Sequence, residues 1–527
     1  MTTSISNVSA EAPRPARRRR KDSERALTTR PKGAPNTERT AFSRYIVLAL
    51  CLALVLSTLA FGTVHNWSLA VFQGTAGVVV ALWAADAWRA RRLRFSKNFL
   101  QLPLAGLFLL GLFQLLPLAG APAPGDPAAA LATAPARTLS FDPYATRLVL
   151  IQLAGLFVYF AAALAFIDSA RRLRLIVRTV IVFGFALALF GLIQFFVSPD
   201  RIFGLRETRQ ALGFGPFINR HHFANYMVMA AGLPLGLLFA GAIERERRLL
   251  YLFSAVLMGI ALMMTNSRGG MLALVAEVFF LVVVSGLVRR PAHHGGDGGE
   301  DAQEHTRARA LLLRAAAGLG IVVALIAGVV FFGGEDSLNR LLGTVNSEDP
   351  TTGRLHFWRG TVEIIRAHPW LGAGLGAFSA VYPRYDTSNG SIYRLEQAHN
   401  DYLQLLSDGG IVAFALGLLF VAGLFAMALR RMQSTDAFRR GVALGALSGC
   451  FAALVHSFFD FPLHTTSNGL LFLTLAALAT AGGRVEQTRR RRKRKQQGRR
   501  ETPAGAGEEV VGADGARARA SEGAATA

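Results

Sequence analysis

The strongest constraint on this chain is a series of apolar runs, each close to 20 residues long and separated from the next by polar or arginine-rich stretches. A helix needs about 20 apolar residues to cross roughly 30 Å of hydrocarbon. Only 17% of the 527 residues are charged, whereas about 25% is usual for a soluble chain. The pattern predicts an all-α, polytopic membrane helical bundle and excludes a soluble enzyme, a secreted disulfide scaffold and a disordered chain.

Twelve transmembrane helices are predicted. They are residues 43–62, 67–87, 98–119, 145–166, 175–197, 221–242, 249–265, 270–288, 312–333, 411–429, 441–459 and 468–482. Short loops rich in arginine follow every second span, and such loops stay in the cytoplasm. Both termini are therefore expected to be cytoplasmic. The predicted order is a basic N-terminal tail (1–42), nine spans (43–333), a large periplasmic loop (334–410), three spans (411–482) and a basic, disordered tail (483–527).

The net charge of +23 is concentrated at the two ends of the chain. Beside membrane spans, such charge sets topology against an anionic leaflet, so the expected partner is the lipid bilayer and not nucleic acid. The two cysteines, Cys51 and Cys450, lie in separate apolar spans and form neither a disulfide framework nor a metal cluster. No metal or cofactor is expected.

The large loop between spans nine and ten carries two helical patterns. Apolar residues recur at helical spacing from Arg354 to Ala367, and His368-Pro369 ends this pattern. A second amphipathic helix is expected from Arg394 to Asp408, with His399 on its apolar face. The loop is therefore expected to fold as two amphipathic helices that lie on the bundle.

Three residues at the outer side are the main candidates for chemistry. Arg268 lies in a short turn with two glycines, and its guanidinium matches the geometry of phosphate oxygens; the alternative is an arginine that reaches the lipid headgroups. Arg354 lies at the start of a predicted helix. It is either a second anion ligand or a solvated charge at the helix end. His399 is a candidate general base or a packed histidine.

Five further polar residues are candidates for lining a cavity at the same face. They are Asn219, Arg220, His222, Asn400 and Asp460. Adjacent histidines such as His221 and His222 point about 100° apart on a helix and make a poor metal pair. The sequence contains no phosphate-binding GxxxxGK[ST] loop and no GxSxG elbow. A transferase outside the cytoplasm lacks ATP, and a sugar linked to a lipid diphosphate supplies the activation it needs.

Five motifs in this order resemble the O-antigen ligase and O-antigen polymerase superfamily of bacterial membrane glycosyltransferases. The motifs are Gly215–Ala224, Ser267–Gly270, Gly353-Arg354 with His368–Gly374, His399-Asn400 with Tyr402–Gln404, and His456-Ser457 with Asp460–Leu463. The twelve-span layout with a large loop between spans nine and ten is similar as well. Two positions depart from the family pattern, namely Phe414 in the ligase form of the histidine motif and His221 in place of asparagine.

The resemblance implies metal-independent transfer from an undecaprenyl diphosphate-linked glycan to an acceptor hydroxyl in lipopolysaccharide biosynthesis. His399 would deprotonate or orient the acceptor, and Arg268 and Arg354 would bind the diphosphate. The acceptor is lipid A-core, growing polysaccharide or another glycan, and the site is on the periplasmic face of the inner membrane. Ligase, polymerase and protein O-glycosylation remain open. A transporter of an anionic solute and a non-enzymatic assembly subunit are the alternatives.

Overall fold

A computed structural model describes residues 40–118, 138–207, 213–287, 316, 318–320, 323, 354–386 and 395–481. These residues are almost entirely helical. The helices are α1 (Phe42–Leu59), α2 (Asn66–Ala90), α3 (Gln101–Gln114), α4 (Pro143–Phe166), α5 (Ala170–Val197), α6 (Arg220–Phe239), α7 (Arg248–Met264), α8 (Arg268–Leu287), α9 (Arg354–Ala367), α10 (Phe378–Val381), α11 (Asp401–Met432), α12 (Ala437–His456) and α13 (Thr466–Thr480). Two short strands, β1 (Arg201–Ile202) and β2 (Arg206–Glu207), pair antiparallel. Single 3-10 turns occupy Phe61–Thr63, Arg245–Arg247, Tyr382–Arg384 and Pro462–His464.

The prediction of a multi-pass helical membrane protein is confirmed. Within the described residues, nine helices are long and apolar enough to cross a membrane. The shorter apolar helices α3 and α13 coincide with the predicted third and twelfth spans. The predicted ninth span, 312–333, lies mostly outside the described residues, as do the two tails and parts of the large loop. The count of twelve therefore stays a prediction.

The crossing of α6 and α12 forms the centre of the bundle and fixes the ends that carry the candidate site. A Cβ atom built on Gly232 would lie 2.5 Å from the Gly445 carbonyl oxygen, and one on Gly236 would lie 2.2 Å from the Gly445 nitrogen. Glycine at these positions lets the two backbones touch, as small residues do between membrane helices. The N-terminal end of α6 consequently lies beside the C-terminal end of α12.

Helix α11 is interrupted where the sequence has Gly409-Gly410. Gly410 has a φ of 64°, and a Cβ there would lie 2.3 Å from the Trp370 carbonyl oxygen. The loop after α9 crosses this interruption, and Ala373 N–H donates to the Ser407 carbonyl at 2.8 Å. The Ser407 carbonyl therefore keeps a hydrogen-bond partner at the interruption. The interruption lies at the predicted boundary, residue 410, between the large loop and the tenth span.

A buried ionic network joins α2, α5 and the segments beside them. The Asp86 network consists of Asp86, Arg94, Asp168 and Arg172, and its two guanidiniums alternate with its two carboxylates. Arg94 Nε lies 3.1 Å from Asp86 and its NH1 lies 3.6 Å from Asp168, whereas Arg172 NH1 lies 3.1 Å from Asp168. Buried charges are tolerated when they are paired in this way.

Candidate functional site

Three helices begin at one cavity, and each begins with an arginine. Arg220 is the first residue of α6, Arg268 of α8 and Arg354 of α9. The arginine cavity has a volume of about 260 Å³ and is lined by Arg220, His221, Asn266, Ser267, Arg268, Gly269, Arg354, His456 and Phe459. Because a helix N-terminus carries partial positive charge and unpaired N–H groups, each helix adds to the attraction of its arginine for an anion.

The dipeptide Phe459-Asp460 links this cavity to His399. The Arg354 guanidinium donates to the Phe459 carbonyl oxygen. The neighbouring Asp460 carboxylate lies 3.1 Å from His399 Nδ1. This dipeptide therefore positions both Arg354 of the arginine cavity and His399, the predicted general base. The two side chains contact adjacent residues of the dipeptide, although 45 positions separate them in the sequence.

The structure corrects the expected location of His399. This residue does not lie on a helix, because α11 begins only at Asp401, and the side chain of Asn400 caps it by accepting from Tyr402 N–H at 3.0 Å. His399 has a φ of 50°, a conformation that costs energy for a residue with a Cβ. The Trp358 indole of α9 donates to the Ala398 carbonyl at 3.1 Å and holds the segment.

The hydrogen bond between His399 and Asp460 fixes which ring nitrogen carries the proton. Burial favours the neutral form of the Asp460 carboxyl, yet the hydrogen bond from His399 and the charge of nearby histidines outweigh it and lower the pKa of Asp460 below its usual value. An ionised carboxylate only accepts hydrogen bonds, so Nδ1 of His399 carries the hydrogen. Nε2 is then left with a lone pair that can take a proton from a substrate hydroxyl.

Three of the cavity residues that the sequence does not predict form a chain of polar contacts. His221 Nδ1 lies 2.8 Å from Ser267 Oγ, and the same hydroxyl lies 3.5 Å from His456 Nε2. All three lie within the quoted motifs, but the motifs alone do not show which side chains face the cavity. That depends on how the helices are rotated. Consecutive helical residues point about 100° apart, so only one histidine of the pair 221–222 can face the cavity. The structure selects His221.

Among the five residues proposed to line a cavity, Arg220 does so and the others have different contacts. Asn219 caps α6 by accepting from His221 N–H at 2.8 Å. His222 is buried, with Nδ1 2.8 Å from the Thr465 hydroxyl. Asn400 caps α11, and Asp460 acts on the site through His399. These four lie around the arginine cavity and are absent from its described lining.

The described histidine and carboxylate side chains of this region do not form a cluster suited to a metal ion. Over the described residues, no group of three or more histidine, cysteine, aspartate or glutamate side chains is arranged to hold one. The buried carboxyl of Glu277 on α8 accepts a hydrogen bond from Ser448 at 3.1 Å inside the bundle. Glu277 therefore belongs to the packing of α8 against α12, away from the arginine cavity.

Comparison with known families supports the reading of these residues. Residues 253–418 match the model of a family described as O-antigen ligase. The resemblance to the O-antigen ligase and polymerase superfamily is thereby confirmed. The match covers under a third of the chain, and it includes Arg268, Arg354 and His399. It supports a membrane glycosyltransferase role in polysaccharide biosynthesis, with glycan and lipid-linked substrates. No curated protein matches the chain.

Proposed function

We propose that this protein transfers a glycan from an undecaprenyl diphosphate-linked donor to an acceptor hydroxyl, as an O-antigen ligase or polymerase. The observation that carries the proposal is the arrangement of Arg220, Arg268 and Arg354, which start three helices around one cavity next to the His399–Asp460 pair. The cavity supplies fixed positive charge for a diphosphate, and the pair supplies a base for the acceptor.

Binding of the donor diphosphate is assigned to the arginine cavity. Guanidinium groups form paired hydrogen bonds with phosphate oxygens, and these charge-assisted bonds are roughly twice as strong as neutral ones. Within the described lining there are three arginines and no carboxylate. An anion that enters the cavity therefore meets an excess of positive charge at the depth where the helices begin.

The reaction is a single displacement at the anomeric carbon. Nε2 of His399 takes the proton of the acceptor hydroxyl, and the oxygen attacks the anomeric carbon as the bond to the diphosphate oxygen breaks. The electron pair of that bond goes to the leaving diphosphate, whose developing charge the arginines stabilise. Attack from the face opposite the leaving group inverts the anomeric configuration. Asp460 keeps the imidazole oriented and stabilises its protonated form.

The site is assigned to the periplasmic face of the inner membrane, with both termini in the cytoplasm. It lies at the N-terminal ends of α6 and α8 and at the C-terminal end of α12. The arginine-rich segments near Arg171, Arg245 and Arg430 occupy the opposite helix ends, which the positive-inside rule assigns to the cytoplasm. Because no ATP is available outside the cytoplasm, a donor with its own diphosphate leaving group suits this location.

The test is the surface polysaccharide of a strain that lacks the gene, complemented with wild type, His399→Ala or His356→Ala. His356 is a matched control, because it is a half-exposed histidine of α9 that contacts Asp386 and does not line the arginine cavity. We expect His399→Ala to abolish the polysaccharide ladder on a gel, with unchanged protein in the membrane, and His356→Ala to restore it.

The pattern also separates the branches of the proposal. Polymer that accumulates on the lipid carrier indicates a ligase, whereas an acceptor with a single repeat unit indicates a polymerase. A complete ladder from His399→Ala would contradict the role assigned to this histidine. Normal polysaccharide in the deletion strain, together with flux of an anionic solute in proteoliposomes, would instead support a transporter.

A further inference from the structure

A second cavity, separated from the arginine cavity by residues 456–464, has apolar walls and one polar end. It has a volume of about 310 Å³ and lies between α3, α4, α11 and α13. We call it the α11 groove; its walls include Leu107, Leu153, Leu418 and Phe472, and its polar end includes Asp401 and His464. Its lining along α11 lies on both sides of the interruption at Gly409-Gly410, with Asp401 and Tyr402 before it and Leu418 and Val421 after it.

The polar end of the α11 groove is joined directly to the segment that carries the proposed chemistry. Ser457 Oγ donates to Asp401 at 2.7 Å, and His464 Nδ1 lies 2.7 Å from the other oxygen of the same carboxylate. Asp401 follows His399 by two residues. The groove therefore ends beside the proposed base and continues from there along the bundle.

Residues 456–464 form a partition between the two cavities. His456 and Phe459 line the arginine cavity, whereas Ser457, Leu463 and His464 line the α11 groove. Asp460, in the middle of the partition, holds His399. His399 itself is in the described lining of neither cavity, but it is held by the segment that separates the arginine-lined cavity from the apolar groove.

The two cavities differ in charge. Three arginines line one, and neither arginine nor lysine occurs among the described residues that line the other. A diphosphate has guanidinium partners only in the first, and the prenyl chain of a donor bound there would have to cross the partition to enter the groove. A hydrocarbon chain in the groove therefore belongs to a different substrate.

We infer that the α11 groove binds the hydrocarbon chain of a lipid-anchored acceptor, a membrane glycolipid whose sugar hydroxyl reaches His399. The inference rests on the proposed function and extends it, because it selects a glycolipid acceptor over a water-soluble protein. Ligase and polymerase both remain compatible with it, and protein O-glycosylation does not.

The test compares tryptophan at two neighbouring positions of α11. Leu418 lines the groove and is 54% exposed, whereas Leu419 is 45% exposed and does not line it. The purified variants are reconstituted with the lipid-linked donor and with either a glycolipid acceptor or its chemically deacylated head group. We expect Leu418→Trp to lower the ratio of kcat/KM for the acylated over the deacylated acceptor at least about fivefold, and Leu419→Trp to leave that ratio unchanged.

A second variant and a binding measurement complete the test. Leu107→Trp on α3 fills the groove from the opposite wall and is expected to act like Leu418→Trp. A glycolipid with a diazirine in its acyl chain is expected to label α11 in the Leu419→Trp protein, and several-fold less in the Leu418→Trp protein.

The outcomes separate the inference from the proposed function. An unchanged ratio in both groove variants would overturn the inference. A raised KM for the donor with both acceptors would also overturn it, because the groove would then hold the prenyl chain of the donor. Equal diazirine labelling in the two α11 variants would assign the groove to bulk bilayer lipid. Absence of transfer by the wild-type protein would refute the proposed function, while the labelling result would still decide the groove.

Discussion

Arginine side chains serve two different purposes in this molecule. In the Asp86 network, Arg94 and Arg172 each lie within 3.6 Å of a carboxylate, and the charges of the four residues cancel. In the arginine cavity, three arginines and two histidines share a lining in which no carboxylate occurs among the described residues. Balanced charge stabilises the packing of helices, whereas excess positive charge creates a site for an anion.

The largest expected effect tests the structural side of this comparison. Asp86→Asn removes a buried charge from beside Arg94, and breaking a buried ion pair costs about 3–5 kcal/mol. We expect the free energy of unfolding to fall by about that amount, with unchanged transfer activity per folded molecule. Denaturant titration in detergent measures the first quantity. Glu363→Gln, which breaks an exposed pair with Arg366, is the control and should cost below about 1 kcal/mol.

A loss of transfer activity with the Asp86→Asn protein fully folded would contradict the division between the two regions. It would mean that the Asp86 network acts on the site from the other end of the bundle. Equal destabilisation by Asp86→Asn and Glu363→Gln would show that burial does not strengthen the pairing in the network.

The next effect tests the binding side. Arg354→Ala removes one guanidinium from the arginine cavity, and loss of one preorganised group of this kind costs about 10²–10³-fold in rate. We expect kcat to fall by about 100-fold with little change in stability, and Arg354→Lys to recover only part of it because lysine lacks the paired geometry. Arg359, exposed on the same helix, is the matched control; full activity of Arg354→Ala would remove it from the anion site.

The smallest effect concerns the ion pair at the polar end of the α11 groove. Burial alone would lower the pKa of His464, but its hydrogen bond and attraction to Asp401, with Asp408 nearby, raise it above the usual value. A raised pKa contributes stability that is complete below about pH 6.5 and is lost as the pH rises through the folded value. Because the side chain is 38% exposed, solvent screening keeps this below about 1 kcal/mol.

The measurement is the difference in unfolding free energy between wild type and His464→Gln at pH 6 and pH 9. We expect the wild type to be the more stable at pH 6 and the difference to shrink at pH 9. A difference that grows with pH would show that Asp401 does not hold the protonated histidine.

Regular apolar periodicity in the sequence predicts the helices of this protein correctly. The helix predicted from Arg354 to Ala367 has those bounds in α9, and eleven of the twelve predicted spans coincide with described helices. The prediction of a helix around His399 is wrong, because apolar spacing continues through residues 395–400 although the chain there is not helical. The cap by Asn400 and the contact with Trp358 fix that local structure, and the second of these is tertiary.

The apolar runs are sufficient to assign the class of the protein, since hydrocarbon thickness and backbone hydrogen bonding leave long apolar runs few alternatives to membrane helices. Local motifs also single out Arg268, Arg354 and His399 as candidate site residues. Tertiary contacts bring the predicted cavity residue Arg220 beside these arginines and turn His221 rather than His222 toward them. They also place Asp460 in the segment between two cavities of opposite character. Those outcomes depend on helix crossing and rotation, which are set by contacts such as Gly232 against Gly445 between residues distant in the chain.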